Sequence, residues 1–463
     1  MLVLESMHSR IKQWGKAEPE CSRRGRSTIL LSIALLCAGS ISAASAEIPG
    51  MAAGAGAVDP ARLDWEQALR WSLEASDLVR AQTSGLKQSE ARRDAADAPF
   101  RPSLAVQGSY LRQDDQLSGF AGTFSPAEQT TLRLNVAYPV FRGFRDQAVR
   151  DQRSALVDSA QQARQQSLRA VALETAQAFF ALAMAESDLR NLKEEHRSNQ
   201  DRLSELRSFL RLGRSRATDV LVTETAIHNL EAQIALLEGQ RKSQRSQLTF
   251  LLGRSWENDR DLPRIAEGGL PRLTPLSEWM ETTQDRAEVR AALADLQSAE
   301  AGVRSARAGH WPSVDLGANY YFNRNVGILK DVRWDVNAQL SFPLYSGGAV
   351  SQQLEESVQA REQREILLSR ARRQVDQEVE TAHAALTGTL AQIARLAKAW
   401  EKSQATYQRT SSDSRRGLVT QLDVLAASGV TFQTKRAWDR ARIQAQWEGV
   451  RLELVSARKK LNL

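Results

Sequence analysis

Two aspartates, Asp219 and Asp423, stand in closely similar ten-residue texts, LGRSRATDVL over Leu212 to Leu221 and RGLVTQLDVL over Arg416 to Leu425. Arg214 and Arg216 accompany the first, Arg415 and Arg416 the second. Carboxylates and guanidiniums this close together can cap helices or pair as ions. They bring no nucleophile with them. His8, His196, His228, His310 and His383 are scattered, with no H-x3-H pair and no paired carboxylates at ligand spacing, so no metal site is expected. No glycine-rich phosphate loop occurs. Gly347-Gly348 lies between strand-like and helix-like text but lacks the rest of a nucleotide fingerprint. Neither a catalytic residue nor a cofactor is expected, and the chemistry on offer is that of fixed charge.

The elements that must hold these charges are helices. Gly213 and Gly417 each precede the Asp by six residues inside long helical text. Glycine tolerates the left-handed backbone where one helix stops, and Asp complements the first turn of the next. Each copy therefore marks the bend of a helical hairpin. The two copies are 204 residues apart, and the same offset places Tyr138-Pro139-Val140-Phe141-Arg142-Gly143 on Phe342-Pro343-Leu344-Tyr345-Ser346-Gly347. Further upstream the offset is 210, pairing Val79-Arg80-Ala81 with Val289-Arg290-Ala291 and Pro102-Ser103 with Pro312-Ser313. One unit is written twice.

Between the paired prolines the periodicity falls to two. Leu104, Val106, Gly108 and Tyr110 alternate with polar or small residues, as do Leu132, Leu134, Val136 and Tyr138. In the second copy Val314, Leu316, Ala318, Tyr320 and Phe322 alternate with Asp315, Gly317, Asn319 and Tyr321, and Trp334, Val336, Ala338 and Leu340 with Asp335, Asn337 and Gln339. Strands are expected at about 103–111, 130–138, 313–322 and 334–342. Such strands suit either a soluble sheet with one packed face or a bilayer crossing. Aromatic residues at their ends favour the crossing, with Arg133, Asp315 and Asp335 facing a wet lumen. Four strands are too few to close a barrel, which takes about eight, so other copies must contribute.

No proline interrupts the text between Pro139 and Pro263 or after Pro343. The 71 residues from Arg142 to Leu212 would reach roughly 105 Å as one helix. On the returning helix Val220, Ile227 and Ile234 repeat every seven residues, with Leu230 and Leu237 in a second register, a seam that wants a partner helix. Leu63 to Asp97 is also expected to be helical, with Trp65, Leu69, Leu73, Leu78 and Leu86 packing. Trp279 to Arg307 mirrors it.

Residues 1–46 read as a Sec signal: Arg23, Arg24 and Arg26 precede the apolar run Ile29 to Ala38, and Ala44-Ser45-Ala46 ends it. Arg26 stands where a twin-arginine signal would carry an apolar residue, and Met7 is an alternative start. Cys37 follows Leu35-Leu36, a poor setting for lipidation. Both cysteines, Cys21 and Cys37, lie in this leader, whose removal takes the net charge from +7 to +4 and leaves no nucleic-acid signature. Beyond it come a flexible lead-in over 47–62, a first repeat over 63–253, an irregular linker over 254–276 and a second repeat over 277–463.

The strand pairs, the Pro-aromatic-x-Gly joins and the two Gly-to-Asp-Val-Leu bends together make the chain from Leu63 to Leu463 resemble the TolC-like outer-membrane factor family. The resemblance implies a mainly α fold with a small β part, two tandem structural repeats each giving two membrane strands and long coiled-coil helices. It implies a homotrimer with a twelve-stranded barrel in the outer membrane lipid, continued by a periplasmic α-helical barrel. The function implied is the exit duct of a tripartite efflux or type I secretion system, serving a periplasmic adaptor and an inner-membrane RND or ABC transporter. By position, Gly213 and Gly417, with Leu212 and Leu418, would meet the adaptor at the tip. Asp219 and Asp423, answered by Arg214, Arg216, Arg415 or Arg416, would form the gate. Two departures bear on that gate: Ala426 and Val419 stand where some members carry an acid and an arginine. A periplasmic adaptor or a coiled-coil scaffold without a pore is the alternative reading. A single helical hairpin would mark it, in place of four alternating strands.

Overall fold

The computed structural model describes residues 63–112, 128–254, 269–324, 329 and 331–458. Contacts divide the chain into Met1–Asp59 and Pro60–Leu463, and every described residue lies in the second unit. The leader, the lead-in and most of the linker fall outside the described residues.

In order, the described elements are α1 (Trp65–Ala75), α2 (Asp77–Ala95), β1 (Ser103–Arg112), β2 (Glu128–Arg142), α3 (Arg145–Arg211), α4 (Ala217–Leu252), α5 (Leu276–Met280), α6 (Ala287–Arg307), β3 (Ser313–Arg324), β4 (Trp334–Ser341), α7 (Ala349–Arg415) and α8 (Gln421–Val455). The four strands form one antiparallel sheet in the order β1-β2-β3-β4. α3 and α7 are each 67 residues long, about 100 Å at 1.5 Å per residue, and they start and stop at positions 204 apart.

The expected single helix over Leu63 to Asp97 breaks at Ser76, whose backbone is extended (φ −66°, ψ 116°) and whose hydroxyl caps α2 by accepting from the Val79 N–H at 3.3 Å. The break re-phases the apolar face: Val79 is 4% exposed and Leu78, expected to pack, is 48% exposed. Trp279 to Arg307 is broken too, into α5, a short 3₁₀ turn over Thr283–Asp285, and α6.

Where the helices lie side by side, small residues let large ones interlock. Phe179 and Phe180 of α3 meet edge to face at 5.3 Å and, with Trp65, Leu248, Leu252 and Ile443, form one core of α1, α3, α4 and α8. A second core joins Trp279, Val379, Leu386, Ala445 and Leu452 from α5, α7 and α8. α3 includes a stretch apolar enough by composition to cross a bilayer, and 61% of that stretch is buried inside this unit. On α4, Ile227 and Leu230 of the heptad seam are buried, while Val220, Ile234 and Leu237 are half-buried.

The second copy departs from the first at a buried charge cluster. Arg286 stands where the 210 offset places the capping Ser76, and its side chain is 3% exposed. It pairs with Glu288 at 3.0 Å and with Glu378 at 2.7 Å, and Arg169 of α3 reaches Glu288 at 2.6 Å. Burial alone would raise the Glu288 carboxyl. The hydrogen bond from Arg286 and the charges of Arg169 and Arg286 outweigh it and hold the carboxyl at about 2, against an ordinary 4.5. A depressed carboxyl contributes stability above pH 4.5 that is lost as the pH falls toward 2. Denaturant unfolding followed against pH should show that loss in the native chain. Glu288→Gln, which leaves two arginines short of a counter-charge, should be less stable by about 3 kcal/mol at neutral pH and should show a flatter acid limb.

Candidate functional site

The sheet has one polar and one apolar face because the strand period is two and all four strands are in phase. β1 pairs with β2 through Gln107↔Arg133, β2 with β3 through Asn135↔Asn319, and β3 with β4 through Asn319↔Asp335. Between the two register shifts of the β2–β3 pairing, at Leu132/Arg133 and Pro139/Phe141, odd-numbered residues therefore share a face. On it Arg133 donates twice to Gln107 Oε1, at 3.0 and 2.7 Å, and Asn135 Nδ2 donates to Asn319 Oδ1 at 2.9 Å. Asn319 Nδ2 in turn donates to Asp335 at 2.8 Å. Asp315 is held by the fork of Arg142 at 2.9 and 3.2 Å, across the bulge between Pro139 and Phe141.

The expected lumen residues Arg133, Asp315 and Asp335 thus lie in a cross-strand polar ladder with Gln107, Asn135, Asn319 and Arg142. The last four were not singled out from sequence. The signal that would have found all but Arg142 was parity with Arg133; Arg142 reaches Asp315 only through the bulge.

The other face is apolar and uncovered. Leu104, Val106, Val336 and Leu340 are each 66 to 69% exposed, and Tyr110, Tyr320, Phe322 and Trp334 stand among them at the far ends of the strands. A contiguous apolar face of this width, backed by a hydrogen-bonded polar one, matches a sheet with lipid outside and water inside.

At the opposite end of the long helices the two bends are built alike. α3 ends with Gly213 at φ 69°, the Gly213 N–H donating to Leu210 O at 3.0 Å and the Arg214 N–H to Phe209 O at 2.8 Å. α7 ends with Gly417 at φ 78°, Gly417 N–H donating to Ser414 O and Leu418 N–H to Asp413 O, both at 3.0 Å. Both are Schellman closures, which satisfy the last carbonyls and need the left-handed residue that glycine supplies.

Each Asp then sits in the first turn of the returning helix. Asp423 accepts from the Thr420 N–H at 2.8 Å and from the Thr420 hydroxyl at 2.6 Å, while Thr420 Oγ1 accepts from the Asp423 N–H at 3.3 Å. This is a reciprocal capping box, and the Thr420 hydrogen bonds hold the Asp423 carboxyl below its usual range. Asp219 accepts from the Arg216 N–H at 3.3 Å and Ser215 Oγ at 3.4 Å, a looser version, because Arg216 has no acceptor to return. Among the described residues neither Asp pairs with Arg214, Arg216, Arg415 or Arg416. These arginines, Leu212 (65% exposed) and Leu418 (71% exposed) extend from the turns. The two turns exchange residue types, Leu212 matching Arg416 and Arg214 matching Leu418 at the offset of 204.

His196 and His228 flank Glu231 at 3.2 and 2.9 Å, His383 meets Thr274 O at 3.1 Å, and His310 closes a 3₁₀ turn. No group of three metal-ligating side chains converges among the described residues.

A two-faced strand sheet continued by paired helical hairpins defines an outer-membrane channel of the efflux and type I secretion class. The sequence profile of the outer membrane efflux protein family matches residues 69–254 and 280–458, and the chain belongs to that family. It is 28% identical over 334 residues to protein CyaE of Bordetella pertussis, spanning 68% of each chain. It is 25% identical over 278 residues to the proteases secretion protein PrtF of Dickeya chrysanthemi, spanning 56% of this chain and 58% of PrtF. Its fold is similar to that of CusC, with a TM-score of 0.75 at 18% identity over 85% of this chain and 91% of CusC. It is likewise similar to VceC of Vibrio cholerae, at 0.72 and 18% over 85% and 95%. The protein is an exit duct of the Gram-negative outer membrane that extends into the periplasm.

Because a Cβ at Gly213 or Gly417 would meet open space, the cost of an alanine there is backbone strain alone. Gly213→Ala and Gly417→Ala should each loosen their bend by about 1 kcal/mol, read as faster amide exchange over the last turn of α3 or α7 with the sheet unchanged.

Proposed function

We propose that three copies of this chain form a twelve-stranded barrel and a continuous helical tube, a passive duct that performs no chemistry on its cargo. The observation that carries this reading is the twofold construction of the chain, with a sheet of exposed apolar face at one end of 67-residue helices and two matching charged bends at the other. Arg133, Asp315 and Asp335 line the lumen of the barrel. At the tip, Asp219 and Asp423 with Arg214, Arg216, Arg415 and Arg416 form a ring of fixed charge that narrows the tube, a common way to close or select a pore. Leu212, Gly213, Gly417 and Leu418 meet a periplasmic adaptor, and an inner-membrane RND or ABC transporter supplies energy and cargo. Likeness to a protein named for protease secretion supports protein export, hence the type I arrangement.

The closed state, on this reading, is a matter of charges met between copies, since among the described residues the carboxylates find no arginine within one chain. Contact with the adaptor separates the bends and the ring opens.

Single-channel conductance in a planar bilayer tests this. The detergent-extracted oligomer should give small, flickering openings, and Asp219→Ala with Asp423→Ala should enlarge them. Unchanged openings would leave the two carboxylates as helix caps only. A folded oligomer without any conductance would end the duct reading and return the chain to the scaffold class.

A further inference from the structure

Toward the bends, the two helical hairpins of one chain are tied together by polar groups. The apolar core shared by α3 and α8 reaches along α3 to Met184 and takes in Ile443 of α8. Beyond it α3 meets α8 through Asp188–Arg440 at 3.3 Å, Glu195–Arg436 at 3.0 Å, Glu194–Lys435 and Arg202–Gln421, and Asn191 Nδ2 donates to Asp439 at 2.9 Å. α4 lies on α3 and α7 lies on α8, so this seam is the main tie between the first hairpin and the second. It can part while the apolar core above it stays closed.

Two acids of the seam are poorly provided for. Asp188 is 9% exposed and Glu195 8%, a depth at which carboxylates are ordinarily well paired. Asp188 Oδ1 is buried without a hydrogen-bond partner, and Oδ2 has only the loose contact with Arg440 Nε. From α8, Asp439 sets a like charge against it and Arg436 a second cation. Glu195 accepts from Arg436 Nη1 at 3.0 Å. The other charges that face this part of α3 are taken up: Lys435 by Glu194, and on α4 Arg241 by Glu186, Glu238 by Lys193, and Glu231 by His196 and His228. Burial outweighs the arginines and raises both carboxyls, with Asp439 adding to the rise at Asp188. The helix itself does not call for acids here, because the offset of 204 places Gln392 and Ala399 at the same positions of α7.

We propose that this seam is a proton-operated latch, in which Asp188 and Glu195 hold protons from the periplasm while α3 and α8 are packed and return them to water as the hairpins part. Parting the seam restores water to both acids and brings them back to their ordinary values, 3.8 and 4.5. The packed state therefore binds more protons, and it gains on the parted state as the pH falls from neutral toward those values. Mild acid holds the bends together, and a rise in pH favours their separation. Asp423, held below its usual range, keeps its charge in the same window, so its titration does not supply this response. The latch rests on the reading that parting of the bends opens a duct, and it adds a condition under which the duct shuts.

Single-channel recording of the full chain as its detergent-extracted oligomer, with the bends bathed at about pH 7.5 and then at about pH 5, tests the latch. The open fraction should fall in acid. Asp188→Asn with Glu195→Gln carries the neutral form permanently and should stay at the acid level at both values. Two single changes should move the midpoint of the response in opposite directions. Asp439→Asn removes the like charge and shifts it to lower pH, whereas Arg440→Gln removes the cation and shifts it to higher pH. A merely structural role would not give opposite shifts, and these two variants decide the matter if the double amide does not assemble. Openings that ignore pH in the native chain, a full acid response in the double amide, or shifts of one sign from both single changes would overturn the latch and leave the duct standing. Loss of the response in His196→Gln with His228→Gln would assign it to the histidines and overturn the latch as well. A folded oligomer without openings at either pH would end the duct reading, and the latch with it.

Discussion

An open sheet edge cannot stand in hydrocarbon. Each backbone N–H or C=O left without a partner there costs several kcal/mol, since no water is present to satisfy it. The sheet of this chain has outer strands of 10 and 8 residues, β1 and β4, each with a neighbouring strand on one side only among the described residues. Its apolar face commits it to lipid, so both edges must be met by other strands. Much of the sheet answers to that setting: the alternation that gives it one apolar face, the bulges that bend it and the polar ladder that keeps the other face hydrogen-bonded.

The helices carry the same logic into water. They pack laterally, and much of each long helix keeps a solvated side, so the apolar interior is thin. α3 and α8 are joined by ion pairs at Asp188, Glu194 and Glu195 along their seam. Burial raises the Asp188 and Glu195 carboxyls, opposed by Arg440 and Arg436, so these acids cost desolvation as well as giving attraction. Partly exposed ion pairs add little stability, and their value lies in fixing which helix meets which and at what height.

The architecture was legible because its signals are long. Nine-residue alternations such as Val314 to Phe322, and proline-free helical text spanning more than seventy residues, leave few competing folds. The 204 offset then exposed both bends at once, since Gly213 and Gly417 are each required by a left-handed closure. Local re-phasing was not legible. Ser76 stops α1 through one hydroxyl, and the shift that buries Val79 in place of Leu78 follows from that stop, where a helical wheel drawn through it fails. The ladder of Gln107, Asn135 and Asn319 was hidden for another reason: amides read as ordinary polar alternation until register puts them side by side. Arg286 could have been noticed as a substitution for the capping Ser76, but its partner Glu378, and the Arg169 that shares Glu288 with it, come from α7 and α3, far away in the chain.

A chain built from two copies of one unit faces a choice of helix partners that a unique chain does not. If both copies of the unit kept the same charges, the second-copy returning helix and the first-copy returning helix would suit the same outgoing helix equally. Here they do not. Glu194 of α3 meets Lys435 of α8, and the corresponding positions carry Lys398 on α7 and Glu231 on α4. A wrong packing that set α4 in place of α8 would oppose Glu194 with Glu231. Repulsion of this kind gives specificity that attraction alone cannot. The reversal of sign therefore marks α8, and not α4, as the helix that Glu194 of α3 meets.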